Sequence, residues 1–403
     1  MSENPSLETT TASPVKGDLN YPLFIALMAN TVIVNLVVSL ARVTTSYRAI
    51  ELDLSVFWIS LIAAGFSLVP VFAAVPLGRY IDRGHDAASA WLGAFLMLLA
   101  CAGFWWRPAS DFYLLVFSIV LGFGHMFCMA GHQMMSVRSA GPISRESVFG
   151  YHMIAIATGQ GLGPAILGWF GGDAHIPPTG TLFAIALGGA AVSQIAAFAL
   201  RPAVREPAHE RPASRLTIRE LLGNRALTAI LSASIVTVVA FELLVVYLPL
   251  LGTERHIDTR DIGILLATRT AVSIGARFFY ARLINRFGRT RLILVGMLMG
   301  AAGFTLIGLP VSLPFMYLAV VIMGLGLGVS TVLTFSGVVL IAPPEARATA
   351  LSLRLTGNRI GQMVVPVLAG LTAEATGIGG VLVIIAGFLA ASGIFTHAVV
   401  ERS

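Results

Sequence analysis

Long apolar runs separated by short polar segments make up most of the sequence. Each run has the roughly 20 residues that an α-helix needs to cross a bilayer. The runs lie near 21–48, 55–77, 88–106, 111–137, 144–171, 179–200, 224–250, 261–281, 291–309, 313–341, 346–372 and 378–399. The pattern predicts an all-α membrane protein with twelve transmembrane helices, which we number spans 1 to 12.

The basic residues between the runs favour one side of the membrane. With the N-terminus placed in the cytoplasm, 17 of the 26 Lys and Arg residues fall in cytoplasmic segments and four in outer segments. Because positive charge is enriched in cytoplasmic loops, we predict cytoplasmic N- and C-termini in a bacterial inner membrane. Residues 1–19 are polar and lack the pattern of a signal peptide, so we predict a disordered cytoplasmic tail.

The longest polar connection divides the chain into two similar halves. Residues 201–223 form a predicted cytoplasmic linker between residues 20–200 and 224–400. A shift of 202 residues places the first half on the second, with Pro142 on Pro344, Arg145 on Arg347, Gly159 on Gly361, Pro164 on Pro366 and Gly168 on Gly370. We therefore expect two pseudo-symmetric bundles of six helices each.

The composition narrows the class of protein. The chain is 56% hydrophobic and 11% charged, which leaves too little polar surface for a water-soluble globule. The net charge of +6 arises from basic residues in the connections between the spans, so we do not expect a nucleic-acid partner. There is no Gly-rich phosphate loop with a lysine and no recognisable catalytic grouping. We expect that the protein is not an enzyme and has no cofactor. We expect a monomer whose partners are the bilayer, protons and a small-molecule substrate.

Three short motifs stand in the connections after spans 2 and 8 and in span 5. The segment after span 2 contains Gly78, Asp82 and Arg83, and the segment after span 8 contains Arg286, Gly288 and Arg289. Span 5 carries Gly150, Gly159, Gly163, Pro164 and Gly168. These motifs resemble those of the major facilitator superfamily, in which two parallel six-span repeats are joined by a central loop. The span 5 pattern resembles the family's antiporter motif, which is found mainly in proton-coupled exporters.

The resemblance implies that the first two motifs are gating latches and that span 5 belongs to an exporter. Several residues depart from the family pattern: His85 and Asp86 in the first latch, Leu167 in span 5, and Ser118 where an arginine is usual in span 4. The same residues also fit a simpler interpretation, in which the loops are tight turns and the glycines allow close helix packing.

Glu242 is the only acidic residue deep inside a predicted span. Arg269 on the next span and Arg42 in the other half lie at similar depths, so both are candidate partners. Burial favours the neutral carboxyl group, whereas a nearby arginine favours the carboxylate. We therefore predict that Glu242 carries the coupled proton, with Arg269 as a further coupling residue; the alternative is a static ion pair.

Span 11 has a polar face that contains Arg354, Asn358, Arg359 and Gln362. Arginine binds carboxylate and phosphate groups with two parallel hydrogen bonds. We predict a substrate site formed by Arg42, Glu242, Asn358, Arg359 and Gln362, and we assign Arg354 to gating. An excess of buried arginine favours an anionic or zwitterionic substrate, unless these groups only contact backbone carbonyls.

Span 4 places His125, Met129 and His132 on one helix face. Such ligands could hold a soft metal ion such as Cu(I), but we favour ordinary packing with a histidine that faces the cavity. We predict no metal site and treat His125 and His132 as further titrating groups for proton coupling.

Together these patterns predict a secondary transporter. The favoured function is a proton-coupled antiporter that exports a small anionic, zwitterionic or amphiphilic organic compound by alternating access. One alternative is an importer of an organic anion, a metal ion or a metal chelate on the same fold. Another is a membrane sensor that transports nothing, although a sensor usually has a soluble output domain.

Overall fold

The computed structural model describes residues 21–106, 110–138, 145–200, 218–343 and 346–402. Within these residues every regular element is an α-helix. Spans 1 to 6 are the helices Tyr21–Glu51, Val56–Asp82, Asp86–Trp105, Asp111–Arg138, Arg145–Gly171 and Thr179–Ala199. A short helix, Ile218–Gly223, precedes span 7. The later spans are Arg225–Glu254, Thr259–Phe287, Arg289–Gly308, Leu313–Ile341 and the long helix Arg347–Val400. The predicted tail and residues 201–217 of the predicted linker lie outside the described residues.

Spans 11 and 12 form one helical element of 54 residues that breaks at Gly377. A straight helix of that length would extend roughly 80 Å, far beyond the roughly 30 Å of hydrocarbon in a bilayer. Gly377 has φ 69° and ψ 171°, a conformation that glycine adopts because it has no Cβ atom. The described part of the chain therefore contains eleven helices long and apolar enough to cross a membrane, and the last supplies the final two of the twelve predicted spans.

The surface is more apolar than that of a soluble protein. The largest fully buried side chains include Tyr47, Tyr247 and Phe104. Trp106 and Trp169 are each 84% exposed. Large exposed apolar groups are expected where lipid replaces water around the helices.

The sequence repeat corresponds to two equivalent contacts between the halves. Span 5 meets span 8 at Gly168 and Gly263, where a Cβ built on Gly263 would lie 2.4 Å from the Gly168 nitrogen. Span 11 meets span 2 at Gly370 and Ser60, where a Cβ built on Gly370 would lie 2.7 Å from the Ser60 Cβ. Gly168 and Gly370 are 202 residues apart, and Ser60 and Gly263 are 203 residues apart. The two interfaces are thus copies related by the repeat.

The bundle is tightly packed at one end, which we call the closed end; it carries the connections 52–55, 172–178 and 255–258. Spans 5 and 8 touch there through the Gly168–Gly263 contact and separate towards the other end. A Cβ on Gly161 would meet Thr270 at 3.4 Å, whereas Cβ atoms on Gly150 and Gly275 would have no neighbour within 4 Å. Spans 5 and 8 are therefore in close contact at Gly168 and further apart towards the opposite end.

Candidate functional site

An ion pair between Arg42 on span 1 and Glu242 on span 7 joins the two halves. The two side chains are 15% and 24% exposed, so both are partly accessible. The Arg42 guanidinium also lies 4.6 Å from the centre of the Phe66 ring. Of the two candidate partners for Glu242, the structure places Arg42 on the carboxylate.

The side chain of Arg269 makes its hydrogen bonds to groups other than Glu242, although it lies within electrostatic range of that carboxylate. It donates to the Phe241 carbonyl at 3.1 Å and to the Thr270 hydroxyl at 3.0 Å. Its guanidinium stacks over the Phe241 ring at 4.8 Å. Arg269 is therefore held by its own half of the molecule, and of the two candidates it is Arg42 that bridges to Glu242.

The polar side chains of span 11 make three different sets of contacts. Arg359 donates to the Gln362 side chain at 3.2 Å and lies within electrostatic range of Glu242 and Arg42. Asn358 accepts a hydrogen bond from a serine of span 7 at 3.3 Å. Arg354 is turned away, over the ring of a phenylalanine of span 10. Arg359 and Gln362 therefore join the central site, and Arg354 does not.

The central site carries more positive than negative charge. Three guanidinium groups, those of Arg42, Arg269 and Arg359, lie within electrostatic range of Glu242. Among the described carboxylates, Glu242 alone lies in the middle of a span. One carboxylate against three guanidiniums leaves a formal surplus of two positive charges.

A small cavity lies beside the ion pair, on the side towards the closed end. Its polar lining consists of Arg42, Thr45, Ser46 and Ser118. Ser118, which stands where the family usually has an arginine, donates to a carbonyl of span 2 at 2.7 Å. The guanidinium at this place in the structure is that of Arg42, which comes from span 1 instead of span 4.

The span 4 residues considered as metal ligands have separate partners. The His132 ring lies 3.2 Å from the Asn30 amide and 3.3 Å from a threonine hydroxyl. The Met129 sulfur accepts from Asn35 at 3.3 Å. His125 lies beside Phe66, within electrostatic range of Arg42 and Arg359. The described residues contain no group of three or more His, Cys, Asp or Glu suited to a metal ion.

His152 on span 5 is a buried polar residue that the sequence analysis did not select. It is 3% exposed, and neither ring nitrogen has a hydrogen-bond partner among the described residues. His125 has the same property. His152 lies within electrostatic range of His132. The signal that could have found it is a titratable residue inside an apolar run.

The closed end is held by a direct interlock between the 5–6 connection and the start of span 8. Thr259 donates to the Ala174 carbonyl from its backbone amide at 2.9 Å and from its hydroxyl at 2.6 Å. The Arg260 amide donates to the Gly172 carbonyl at 3.0 Å, and its side chain pairs with Asp173 at 2.7 Å. The first amides of a helix have no partner within that helix, so one half satisfies the helix start of the other.

The span 5 glycines are explained by packing. Cβ atoms on Gly159 and Gly163 would lie 2.3 Å and 2.6 Å from backbone atoms of span 1, and one on Gly168 would lie 3.0 Å from a carbonyl of span 8. The Pro164 carbonyl lies in the same contact with span 8. Gly150 faces open space. Gly168 and Pro164 therefore lie in the contact that seals the closed end, whereas Gly159 and Gly163 pack span 5 against span 1 of the same half.

The predicted latch residues are only partly described. The Asp82 side chain is outside the described residues, and Gly78 faces open space. Gly288 ends span 8 with φ 77°. Arg289 donates to the Ser336 hydroxyl on span 10, within its own half. Arg286 stacks over the ring of its neighbour in the chain. A latch formed by these residues and Arg83 stays a prediction.

Solved structures with the same fold cover nearly the whole chain. A bacterial homologue of the human lysosomal transporter Spinster, in an inward-facing and unoccupied conformation, is 16% identical with a TM-score of 0.80, covering 96% of this chain and 98% of that one. The nucleoside transporter NupG is 14% identical with a TM-score of 0.72, covering 94% and 100%. A POT family transporter in complex with a thioalcohol-conjugated peptide is 14% identical with a TM-score of 0.76, covering 94% and 96%.

The comparison of sequences identifies the family. Among curated proteins, none matches the chain at a significant level. The family model of the Major Facilitator Superfamily matches residues 23–258 and again residues 230–402, so the two matches span both halves. The chain therefore belongs to the Major Facilitator Superfamily and is a multi-pass membrane transporter, not an enzyme.

Proposed function

We propose that this transporter is coupled to protons and moves a small organic compound by alternating access, with Glu242 as the proton carrier. The observation that carries the proposal is the Arg42–Glu242 ion pair. It is formed by one side chain from each half, so a rearrangement of the halves acts on it directly.

The pair provides a physical link between protonation and movement. Two unit charges about 4 Å apart attract each other by about 4 kcal/mol at an effective dielectric constant of about 20. A proton on Glu242 removes the negative charge and most of this attraction. Protonation would therefore lower the free energy needed to separate spans 1 and 7, and separation would favour proton exchange with water.

The direction of transport depends on how the proton and the substrate affect each other. Export by proton antiport, which the span 5 pattern predicts, requires the two to compete for Glu242. Uptake of an organic anion together with protons requires that each favours the binding of the other. The surplus of guanidinium groups around Glu242 supports this second candidate.

We also propose an inner-membrane location with cytoplasmic termini, based on the distribution of basic residues. In that orientation the closed end faces outward, and the end at which spans 5 and 8 separate faces the cytoplasm. The resulting conformation would be inward-facing.

The test is transport by purified protein in proteoliposomes with an imposed pH gradient and a panel of organic anions, organic cations and metal chelates. Glu242→Gln should abolish gradient-driven accumulation but retain exchange of the same compound across the membrane, because the cavity remains. The matched control is Glu374→Gln, which removes an exposed carboxylate near the break in the last helix. Full gradient-driven transport by folded Glu242→Gln protein would contradict the proposal.

A further inference from the structure

The charges of the central site also bear on the class of substrate. We propose that this site binds an organic anion, and that the anion and the proton bind together instead of competing. The inference rests on the proposed function, since it requires Glu242 to exchange its proton with water.

The first argument is the charge balance. Arg42 pairs with the single carboxylate, and Arg269 and Arg359 lie within electrostatic range of it, so a cationic substrate would enter a site that already has a positive surplus. His125 lies within electrostatic range of two of these groups and carries no negative charge that would offset them. A negatively charged group on the substrate would balance the positive charge of the guanidinium groups in this low-dielectric interior.

The second argument is that Arg359 is available to a ligand. Arg269 has backbone, hydroxyl and aromatic partners. Arg359 is partly exposed, and its hydrogen bond among the described residues goes to the neutral side chain of Gln362. A guanidinium has five N–H donors in a planar fork, so Arg359 retains donors for a carboxylate, sulfonate or phosphate group.

The third argument concerns Arg42, which already holds an anion that belongs to the protein. The Glu242 carboxylate occupies the position that a substrate anion would take on Arg42. When Glu242 is protonated, this internal competitor becomes neutral and Arg42 can bind the substrate. Binding free energies are reciprocal, so the bound anion in turn increases the affinity of Glu242 for a proton.

A cationic substrate would behave in the opposite way. It would pair with the Glu242 carboxylate and compete with the proton, which is the linkage that antiport needs. The sign of the pH dependence of binding therefore separates the two classes of substrate without any transport measurement.

The experiment measures binding to the purified full-length protein by isothermal titration calorimetry. The probes are benzenesulfonate and 2-naphthalenesulfonate, each compared with the trimethylammonium compound on the same ring. These probes keep their charge across the pH range, and their rings suit a site flanked by Phe66 and Phe241.

We expect the sulfonates to bind and their Kd to fall as the pH is lowered from about 8 to about 5, by up to roughly tenfold per pH unit for one linked proton. Glu242→Gln should bind them tightly at every pH, because the internal competitor is already neutral. Arg359→Gln should weaken binding by roughly tenfold or more through the loss of charge-assisted hydrogen bonds. Arg291→Gln removes an exposed arginine and should leave binding unchanged.

Three results would overturn the inference. If folded wild-type protein bound none of the sulfonates, the site would not prefer anions. If the trimethylammonium probes bound more tightly as the pH rose, the anion assignment would fail while proton coupling at Glu242 would stand. If the sulfonates bound without any pH dependence in the wild type, both joint binding and the proposed proton carrier would be wrong.

Discussion

The contact between spans 5 and 8 makes Gly263 the most informative position to change. A Cβ atom at Gly263 would lie 2.4 Å from the Gly168 nitrogen, 2.5 Å from the Gly168 Cα and 2.6 Å from the Pro164 carbonyl oxygen. All three neighbours are backbone atoms, so no side chain can rotate away. Because non-bonded heavy atoms prefer separations of about 3.5 to 4.0 Å, Gly263→Ala should push the two helices apart by about 1 Å.

This strain acts on the conformation in which the closed end is shut. Overpacking of this kind costs about 1 to 3 kcal/mol. If the helices separate when the closed end opens, the cost applies to the shut state alone. It would then shift the ratio of open to shut molecules by about 5- to 150-fold.

The assay is a distance measurement between two spin labels, at Ile176 in the 5–6 connection and at Glu254 near the end of span 7. Both positions are exposed, and the native Cys101 and Cys128 are buried. Double electron–electron resonance on protein in nanodiscs should show a larger long-distance population in Gly263→Ala than in the wild type.

The matched control is Gly275→Ala on the same helix, where a Cβ atom would have no neighbour within 4 Å. Both substitutions improve helix propensity by up to about 1 kcal/mol, so the comparison isolates the contact. If folded Gly263→Ala protein gave the same distances as Gly275→Ala, the closed-end contact would not control the conformation.

Two further predictions concern the packing of spans 2 and 4 and the interlock at the closed end. Gly122→Ala should lower the melting temperature in detergent, by an amount equivalent to about 1 to 3 kcal/mol, because the new Cβ would lie 1.8 Å from a carbonyl oxygen of span 2. The control is Gly188→Ala, since a Cβ at Gly188 would face open space. Equal melting temperatures for the two variants would contradict this close contact. Thr259→Val should increase the long-distance population in the same spin-label assay more than Asp173→Asn does. The Thr259 hydroxyl is buried and donates a hydrogen bond to the Ala174 carbonyl, whereas the ion pair of Asp173 is exposed and contributes only about 0 to 1 kcal/mol. The reverse order of the two variants would show that the ion pair holds the closed end.

The helical architecture could be predicted because its causes are local in the chain. A run of apolar residues of sufficient length must form a helix in lipid, since every backbone polar group needs a partner within the span. The form of the break at Gly377 could not be predicted from hydropathy. It separates two predicted spans, yet the helix continues on both sides, and only the backbone angles show the turn.

The central site could be predicted in part. Depth along a span is linear in sequence, so Glu242 and both candidate arginines could be placed at one level. The choice between Arg42 and Arg269 depends on how each helix is rotated about its axis and which helices are neighbours. These are properties of packing, and they direct Arg269 to the Phe241 carbonyl and Arg42 to Glu242.

The sequence by itself therefore determined the membrane class, the twelve spans, the repeat and the single deep carboxylate, because hydropathy, length and spacing are carried by the chain locally. The tertiary structure decided which arginine meets Glu242 and how the closed end is held. The interlock of Thr259 and Arg260 with the 5–6 connection consists mostly of hydrogen bonds to backbone carbonyls, which every residue possesses. No residue type marks such contacts in advance, so only the arrangement of the two halves in space reveals them.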